Sequence, residues 1–217
     1  MEKIYYDDTT YIWKTKLNRI SDKSLFLKEA HSLIESMPHN PSDGYLYNKE
    51  RNLNFNFIEG FKIETKLDEL IQIGIDSCKE IYNEKNINYN KINTSAWINV
   101  VRSNNPLQIN FKHSEINGVD KYHTHTELQK NSDSFFPHYT YVYYIQMPNV
   151  MSGDDGVLYF KGKGDIEYYI KPEEDDLIIM EGNIPHSPNN APQSTIDRIV
   201  LAGNVGFDFI KKEKTLI

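Results

Sequence analysis

One cysteine in 217 residues, Cys78, excludes an intramolecular disulfide and with it the stapled frameworks of small secreted domains. Long apolar runs are also missing. Stretches such as Leu177 to Met180 and Ile199 to Ala202 fall far short of the roughly 18 residues a membrane span needs, and no charged start followed by a long apolar segment resembles a signal peptide. Basic residues are in deficit, 24 Lys and Arg against 31 Asp and Glu. The net charge of −7 removes the broad cationic surface that non-specific nucleic-acid binding requires, while a local basic groove stays compatible with it. These absences predict a cytoplasmic chain that does not enter membranes. The 39% of hydrophobic and 12% of aromatic residues suffice for one well-buried core, so a single domain over 1–217 is expected.

Apolar residues recur at helical spacing in two places. Phe26, Ala30, Leu33, Ile34 and Met37 follow possible caps at Ser21 and Asp22 and stop at Pro38. Leu67, Leu70, Ile71, Cys78, Ile81 and Tyr82 follow Thr65, which stands three residues before Asp68 as in a capping box, and Cys78 reads as core. Between them, the polar stretch from His39 to Asn56 reads as a surface loop. From about Ser95 the period changes to two: Trp97 to Val101, Leu107 to Phe111, Tyr139 to Met147, Val157 to Phe160, Ile166 to Ile170, Leu177 to Met180 and Ile199 to Phe209 are predicted strands. Turn signals such as Asn117-Gly118 and Gly153 to Gly156 separate them. Helices first and strands afterward predict an α+β, mainly β fold. In it a helical or irregular support over about 1–90 braces a jelly roll over about 91–210.

Four of the seven histidines, His113, His123, His125 and His138, fall within 26 residues. In Tyr122-His123-Thr124-His125-Thr126-Glu127 three metal-capable side chains alternate, and in an extended segment they project to one side. Ligands two residues apart lie about 6.5–7 Å apart along a strand and can bend to one ion, whereas His123 and Glu127 are about 13 Å apart. His125 therefore belongs to either pair. His125 and Glu127 with one further imidazole make a 2-His-1-carboxylate facial triad, a set that leaves metal positions open for non-haem iron oxygen chemistry. His186, following the apolar strand Leu177 to Met180, is the candidate. His123 as a metal ligand, with His125, gives a three-histidine set instead. Taken alone, the string also fits a solvated polar edge. Arg198 then opens an apolar strand twelve residues beyond His186, suited to bidentate pairing with a carboxylate.

With those residues in view, the second half resembles the Fe(II)/2-oxoglutarate-dependent dioxygenases, whose fold is a double-stranded β-helix, a jelly-roll variant. The resemblance rests on His125-x-Glu127, the strand Tyr141 to Ile145, the hairpin segment Gly156 to Phe160, the stretch Ile170-Lys171-Pro172 to Leu177–Met180, His186 and Arg198, in that order. It covers roughly residues 95 to 210, and the N-terminal part loosely. More narrowly, Tyr11 to Leu17 and Trp97-Ile98-Asn99 before an H-x-H look like the small oxygenases of unassigned substrate in bacteria and tailed phages. Two positions depart from the family pattern. Asp175 or Asp176 stands where a glycine is usual, and Val200 stands where a hydroxyl usually follows the Arg. Tyr144, Tyr143 and Thr140 are the candidates to share the cosubstrate carboxylate instead, and Asn99 joins the cofactor-binding set.

The resemblance implies an enzyme that uses Fe(II), 2-oxoglutarate and O2. It would hydroxylate an unactivated C–H bond while 2-oxoglutarate is decarboxylated to succinate. His125, Glu127, His186 and Arg198 carry the catalytic roles, and Arg198 pairs with the far carboxylate of 2-oxoglutarate in a pocket lined by Ile199, Leu201 and the tyrosines of 139–144. The substrate would be a small molecule or a peptidyl side chain, a prolyl one for preference, with a nucleobase also open. The segment Leu128 to Pro137 is expected to form the rim that selects it. The rival of another class is a non-catalytic jelly-roll module that binds carbohydrate, base or peptide on its strand tyrosines. A metal oxygenase that dispenses with 2-oxoglutarate is the third reading.

Overall fold

The computed structural model describes residues 1–6, 10–35, 45–48, 53–56, 63–85, 89–101, 122–125, 138–162, 167–189, 191 and 193–209. The two helices form where apolar spacing predicts them. A 3-10 turn, Ile20–Asp22, leads into α1, Lys23–Glu35. Helix α2, Lys66–Glu84, opens on a full capping box: the Thr65 hydroxyl accepts from the Asp68 N–H at 3.1 Å, and the Asp68 carboxylate accepts from the Thr65 N–H at 3.0 Å. Two otherwise orphaned N–H groups are thereby satisfied. Cys78 is fully buried on the inner face of α2, and burial pushes its thiol up to a pKa well above the ordinary range, so it is packing rather than a reactive group. Among the described residues no helix is long and apolar enough to cross a membrane.

Eleven antiparallel strands are described. The larger sheet runs β1 (Glu2–Tyr5), β2 (Tyr11–Lys16), β9 (Asp176–Glu181), β6 (Tyr139–Gln146), β11 (Arg198–Phe209), β5 (Tyr89–Val101) and β3 (Tyr45–Asn48), with β4 (Leu53–Asn56) also on β5. The smaller sheet is β10 (His186–Pro188), β7 (Leu158–Lys161) and β8 (Glu167–Ile170). The central strands are buried on both faces, so they read as continuous apolar runs and only residue parity assigns the faces. Tyr139, Tyr141, Tyr143, Ile145, Leu177, Ile179, Ile199, Leu201, Val205 and Phe207 share a core with Phe26, Leu70, Ile75 and Ile81 of the helices. The alternate residues Tyr144, Ile178, Met180 and Val200 share a second core with Leu158, Phe160 and Ile170 of the smaller sheet. Helix α2 reaches the first face closely because Gly74 lies over the Tyr141 ring; a Cβ there would stand 2.6 Å from it.

The chain differs from its sequence reading in the first 90 residues. These are not only helical or irregular support: β1 and β2 extend the larger sheet, and Ile12 and Trp13 contribute to its two cores. The stretch 39–56, read as a surface loop, contains β3 and β4, both on β5. Both carry strand-type residues, Tyr45-Leu46-Tyr47 and the alternating Leu53-Asn54-Phe55-Asn56, but the Pro41, Gly44 and asparagines of the stretch favoured a loop reading. The predicted strand Leu107 to Phe111, the turn at Asn117-Gly118, His113, Glu127 and the rim segment 128–137 lie outside the described residues.

Candidate metal centre and its pocket

His186 begins β10 directly after the turn at 182–184, and a short backbone bridge holds the H-x-H segment against it. The His123 N–H donates to the His186 carbonyl at 3.1 Å and the His186 N–H to the His123 carbonyl at 3.0 Å. The His125 N–H donates to the Gly182 carbonyl at 3.0 Å. This pairing brings ring nitrogens of His123, His125 and His186 within 4.8 Å of one another. His125 and His186 are buried, while His123 is exposed on its outer side. The remaining clustered histidine that is described, His138, is spent elsewhere: its Nδ1 accepts the Phe207 N–H at 3.1 Å.

The His186 Nδ1 faces the Ile184 carbonyl at 2.9 Å. A carbonyl only accepts, so Nδ1 carries the proton and Nε2 presents its lone pair to the cluster. The His125 and His186 Nε2 atoms lie 3.3 Å apart. Two imidazole nitrogens bound to one ion at about 2.1 Å, with octahedral or tetrahedral angles, lie about 3.0–3.4 Å apart, so the pair fits a shared cation. Trp97 packs on the His125 ring, centroids 5.6 Å apart. Burial, with the neighbouring His123, pulls the His125 pKa down to about 3. Burial, then His123 and His125, holds His186 well below its ordinary value, and burial lowers His123. At neutral pH all three are uncharged, the form a metal takes.

The cluster opens into a pocket of about 520 Å³, counted to its mouth, which also receives Trp97, Asn99, Thr140, Val142, Tyr144 and Arg198. Arg198 is only 5% exposed, and its Nη1 donates to the Asn189 carbonyl at 2.8 Å. Strand register sets the distances along the floor. Ala202 pairs with Trp97 and Val142 at the histidine end, whereas Val200 pairs with Asn99 and Tyr144 one step nearer Arg198. Arg198 and Ala202 are four residues, about 13 Å, apart along β11. The pocket therefore joins three neutral nitrogens at one end to a buried cation at the other. The Asn99 Oδ1 in it is buried without a hydrogen-bond partner.

Parity also corrects several expected members of the site. Ile199 and Leu201 face the helices, and the pocket is lined by Val200 and Ala202 instead. Tyr143 points away from the pocket and donates its hydroxyl to Asp175 Oδ1 at 2.8 Å. Thr140 lines the pocket but pairs with Asn204, six residues or about 20 Å along β11 from Arg198, and donates to the Asn204 side chain at 2.8 Å. Of the three hydroxyl candidates, Tyr144 stands beside Arg198; burial raises its phenol pKa and the Arg198 charge opposes the rise. At the position where the resemblance calls for glycine, Asp175 has φ 70°, the left-handed region glycine favours, and its carboxylate takes up the Tyr143 hydroxyl and the Arg19 N–H. Val142, Leu158, Pro188 and Asn189 were missed as pocket or supporting residues. Counting by twos from Tyr144 finds Val142, while the others carry no chemical signal of their own.

No family model matches the sequence, and no curated protein matches it. Solved structures do match in fold. A Pseudomonas putida prolyl-4-hydroxylase is 11% identical with a TM-score of 0.53, covering 93% of this chain and 94% of its own. IDO from Bacillus thuringiensis is 12% identical with a TM-score of 0.56, covering 90% of each chain. An oxidoreductase of the 2OG-Fe(II) oxygenase family from Burkholderia pseudomallei is 8% identical with a TM-score of 0.53, covering 90% of this chain and 84% of its own. The architecture, mainly antiparallel β with few helices, is therefore one that 2OG-Fe(II) oxygenases use.

Proposed function

We propose that the chain is an Fe(II)- and 2-oxoglutarate-dependent dioxygenase, a double-stranded β-helix member of that family akin to its small bacterial and phage oxygenases, and that it hydroxylates an unactivated C–H bond. One observation carries this reading: a single pocket joins a cluster of three imidazole nitrogens to the buried Arg198 guanidinium. Neither a carbohydrate-binding surface nor a structural metal calls for a buried cation across the pocket from the ligand cluster. Fold likeness to 2OG-Fe(II) oxygenases agrees with it.

In this reading His125, His186 and His123 hold the iron. His123 is named as the third ligand because its ring nitrogen lies with the other two, while Glu127 lies outside the described residues. The Ile184 carbonyl fixes the His186 tautomer, and Trp97 braces the His125 ring. Arg198 pairs with the far carboxylate of 2-oxoglutarate, with Tyr144 beside it and the Asn99 side-chain amide on the adjacent strand β5 able to donate its N–H to a carboxylate oxygen. The apolar walls of Val142, Leu158, Val200 and Ala202 would limit water in the same space once cosubstrate and substrate fill it. Bound iron and 2-oxoglutarate would supply the oxidising power, with substrate–H, O2 and 2-oxoglutarate giving substrate–OH, succinate and CO2. A peptidyl side chain is the substrate class put forward first, since the Pseudomonas putida neighbour is a prolyl-4-hydroxylase. Incubating the Fe(II)-loaded protein with 2-oxoglutarate in air, with and without proline-containing peptides, tests the reading. Succinate should form, peptide should raise its rate, and a protein that forms none is not this enzyme.

A further inference from the structure

Arg198 is not held in its pocket by its own strand alone. Asn189, one residue beyond β10, is 4% exposed, and its polar groups are committed in three directions. Its carbonyl accepts from Arg198 Nη1 at 2.8 Å, its N–H donates to the Val157 carbonyl at 2.7 Å, and its side-chain Nδ2 donates to the Asp154 carbonyl at 2.9 Å. Asp154 lies in the turn at 153–156, where Gly153 and Gly156 have φ 56° and 72°, and Val157 leads into β7. The contact with Arg198 is made by a backbone carbonyl whose position depends on the two anchors behind it. A guanidinium has five N–H donors in a rigid fork; fixing Nη1 sets the plane in which the others point. A neutral carbonyl orients the fork without cancelling its charge.

From this arrangement we infer that Asn189 is a positioning residue for cosubstrate recognition: through its anchorage to the Asp154–Val157 turn it sets the orientation in which Arg198 meets the distal carboxylate. The inference rests on the proposed 2-oxoglutarate reading of the pocket. Asn189 itself is not among the residues that line the pocket. It also ties the histidine end to the arginine end, because β10 carries His186 three residues before it.

The test is a double-mutant cycle on Mn(II)-loaded protein, read by calorimetric titration with 2-oxoglutarate and with 2-oxobutanoate, which lacks the distal carboxylate. Asn189→Ala removes the Asp154 anchor, and Asn189→Leu does so with volume retained. Either should weaken 2-oxoglutarate binding by about 10-fold or more, the scale of supporting-residue changes, with Mn(II) affinity and 2-oxobutanoate affinity unchanged. In an Arg198→Met background the same change should cost under 2-fold, since residues acting through one another are non-additive. Equal losses in both backgrounds, equal losses for both ligands, or no loss would overturn the inference. So would failure of both Asn189 variants to fold, which would make the residue a determinant of the fold. If Arg198→Met alone leaves 2-oxoglutarate affinity intact, the cosubstrate reading falls; if Arg198→Met weakens it and the Asn189 variants do not, only this inference falls.

Discussion

Replacing Arg198 is the perturbation that separates a cosubstrate-using oxygenase from other metal-bearing β folds. Arg198 is 5% exposed at the end of a pocket whose floor is Val200 and Ala202, so a carboxylate entering there leaves water and depends on its partner. Arg198→Met removes charge and fork while keeping an unbranched apolar stem. A buried charge left unpaired costs about 2–5 kcal/mol, and at 1.4 kcal/mol per decade that is a loss of about 30- to 4,000-fold in 2-oxoglutarate affinity. Arg198→Lys keeps the charge but has no planar fork to satisfy both carboxylate oxygens and the Asn189 carbonyl together, so its affinity should fall between the two. Calorimetric titration of Mn(II)-loaded protein with 2-oxoglutarate gives the order, and a parallel Mn(II) titration should show metal affinity nearly unchanged. Equal 2-oxoglutarate binding by Arg, Lys and Met proteins would remove Arg198 from cosubstrate recognition and return a binding-module reading to first place.

The same pocket and core set three further outcomes. Anaerobic Fe(II) titration should show losses of about 10-fold or more for His125→Ala, His186→Ala and His123→Ala, with Glu127→Ala retaining affinity; the reverse result for His123 and Glu127 would restore the carboxylate triad. In the metal-free protein, His125 and His186 have folded-state pKa values below the ordinary 6.5, so as pH falls through 6.5 the unfolded chain takes up protons that the folded chain refuses. Stability should thus be complete above about pH 7 and drop by about 1.4 kcal/mol per histidine by pH 5.5, about 3 kcal/mol together. Urea unfolding of the His125→Ala/His186→Ala double variant should lack that component, and an unchanged pH dependence would contradict it. Gly203→Ala would put a Cβ 2.4 Å from the Tyr141 hydroxyl and 2.7 Å from the Ser95 carbonyl, a backbone atom that cannot swing away, so a loss of about 1–3 kcal/mol or more is expected in thermal unfolding.

Much of the architecture was legible where a residue type has one dominant use. The Thr65–Asp68 capping box and the helical recurrence through Cys78 mark α2, and the change to a two-residue period marks β5, β6, β9 and β11. The faces of those strands were not legible, because Ile199-Val200-Leu201 is apolar on both sides and nothing in the run says which side meets helices. The contact of Arg198 with a pocket decides it, and it assigns Val200 and Ala202 to the site. Strands β3 and β4, which pair with β5, were passed over because Pro41, Gly44 and several asparagines in the stretch signal a loop, although Leu53-Asn54-Phe55-Asn56 alternates with period two. At the candidate site, alternation in His123-Thr124-His125 and the isolated His186 were visible as residues. Their meeting depends on a backbone bridge between His123 and His186, 63 residues apart, which no local signal encodes. Asn189 was invisible for the same reason, since its role is carried by a main-chain carbonyl.

Succinate formation from 2-oxoglutarate by the Fe(II)-loaded protein in air, compared with His186→Ala prepared identically, decides whether the chain is this oxygenase. The wild-type protein should convert 2-oxoglutarate to succinate and CO2 with O2 consumed, and the variant should form succinate at no more than the rate of free Fe(II). Absence of succinate from a wild-type protein shown to hold Fe(II) and 2-oxoglutarate, or equal turnover by His186→Ala, would contradict the account.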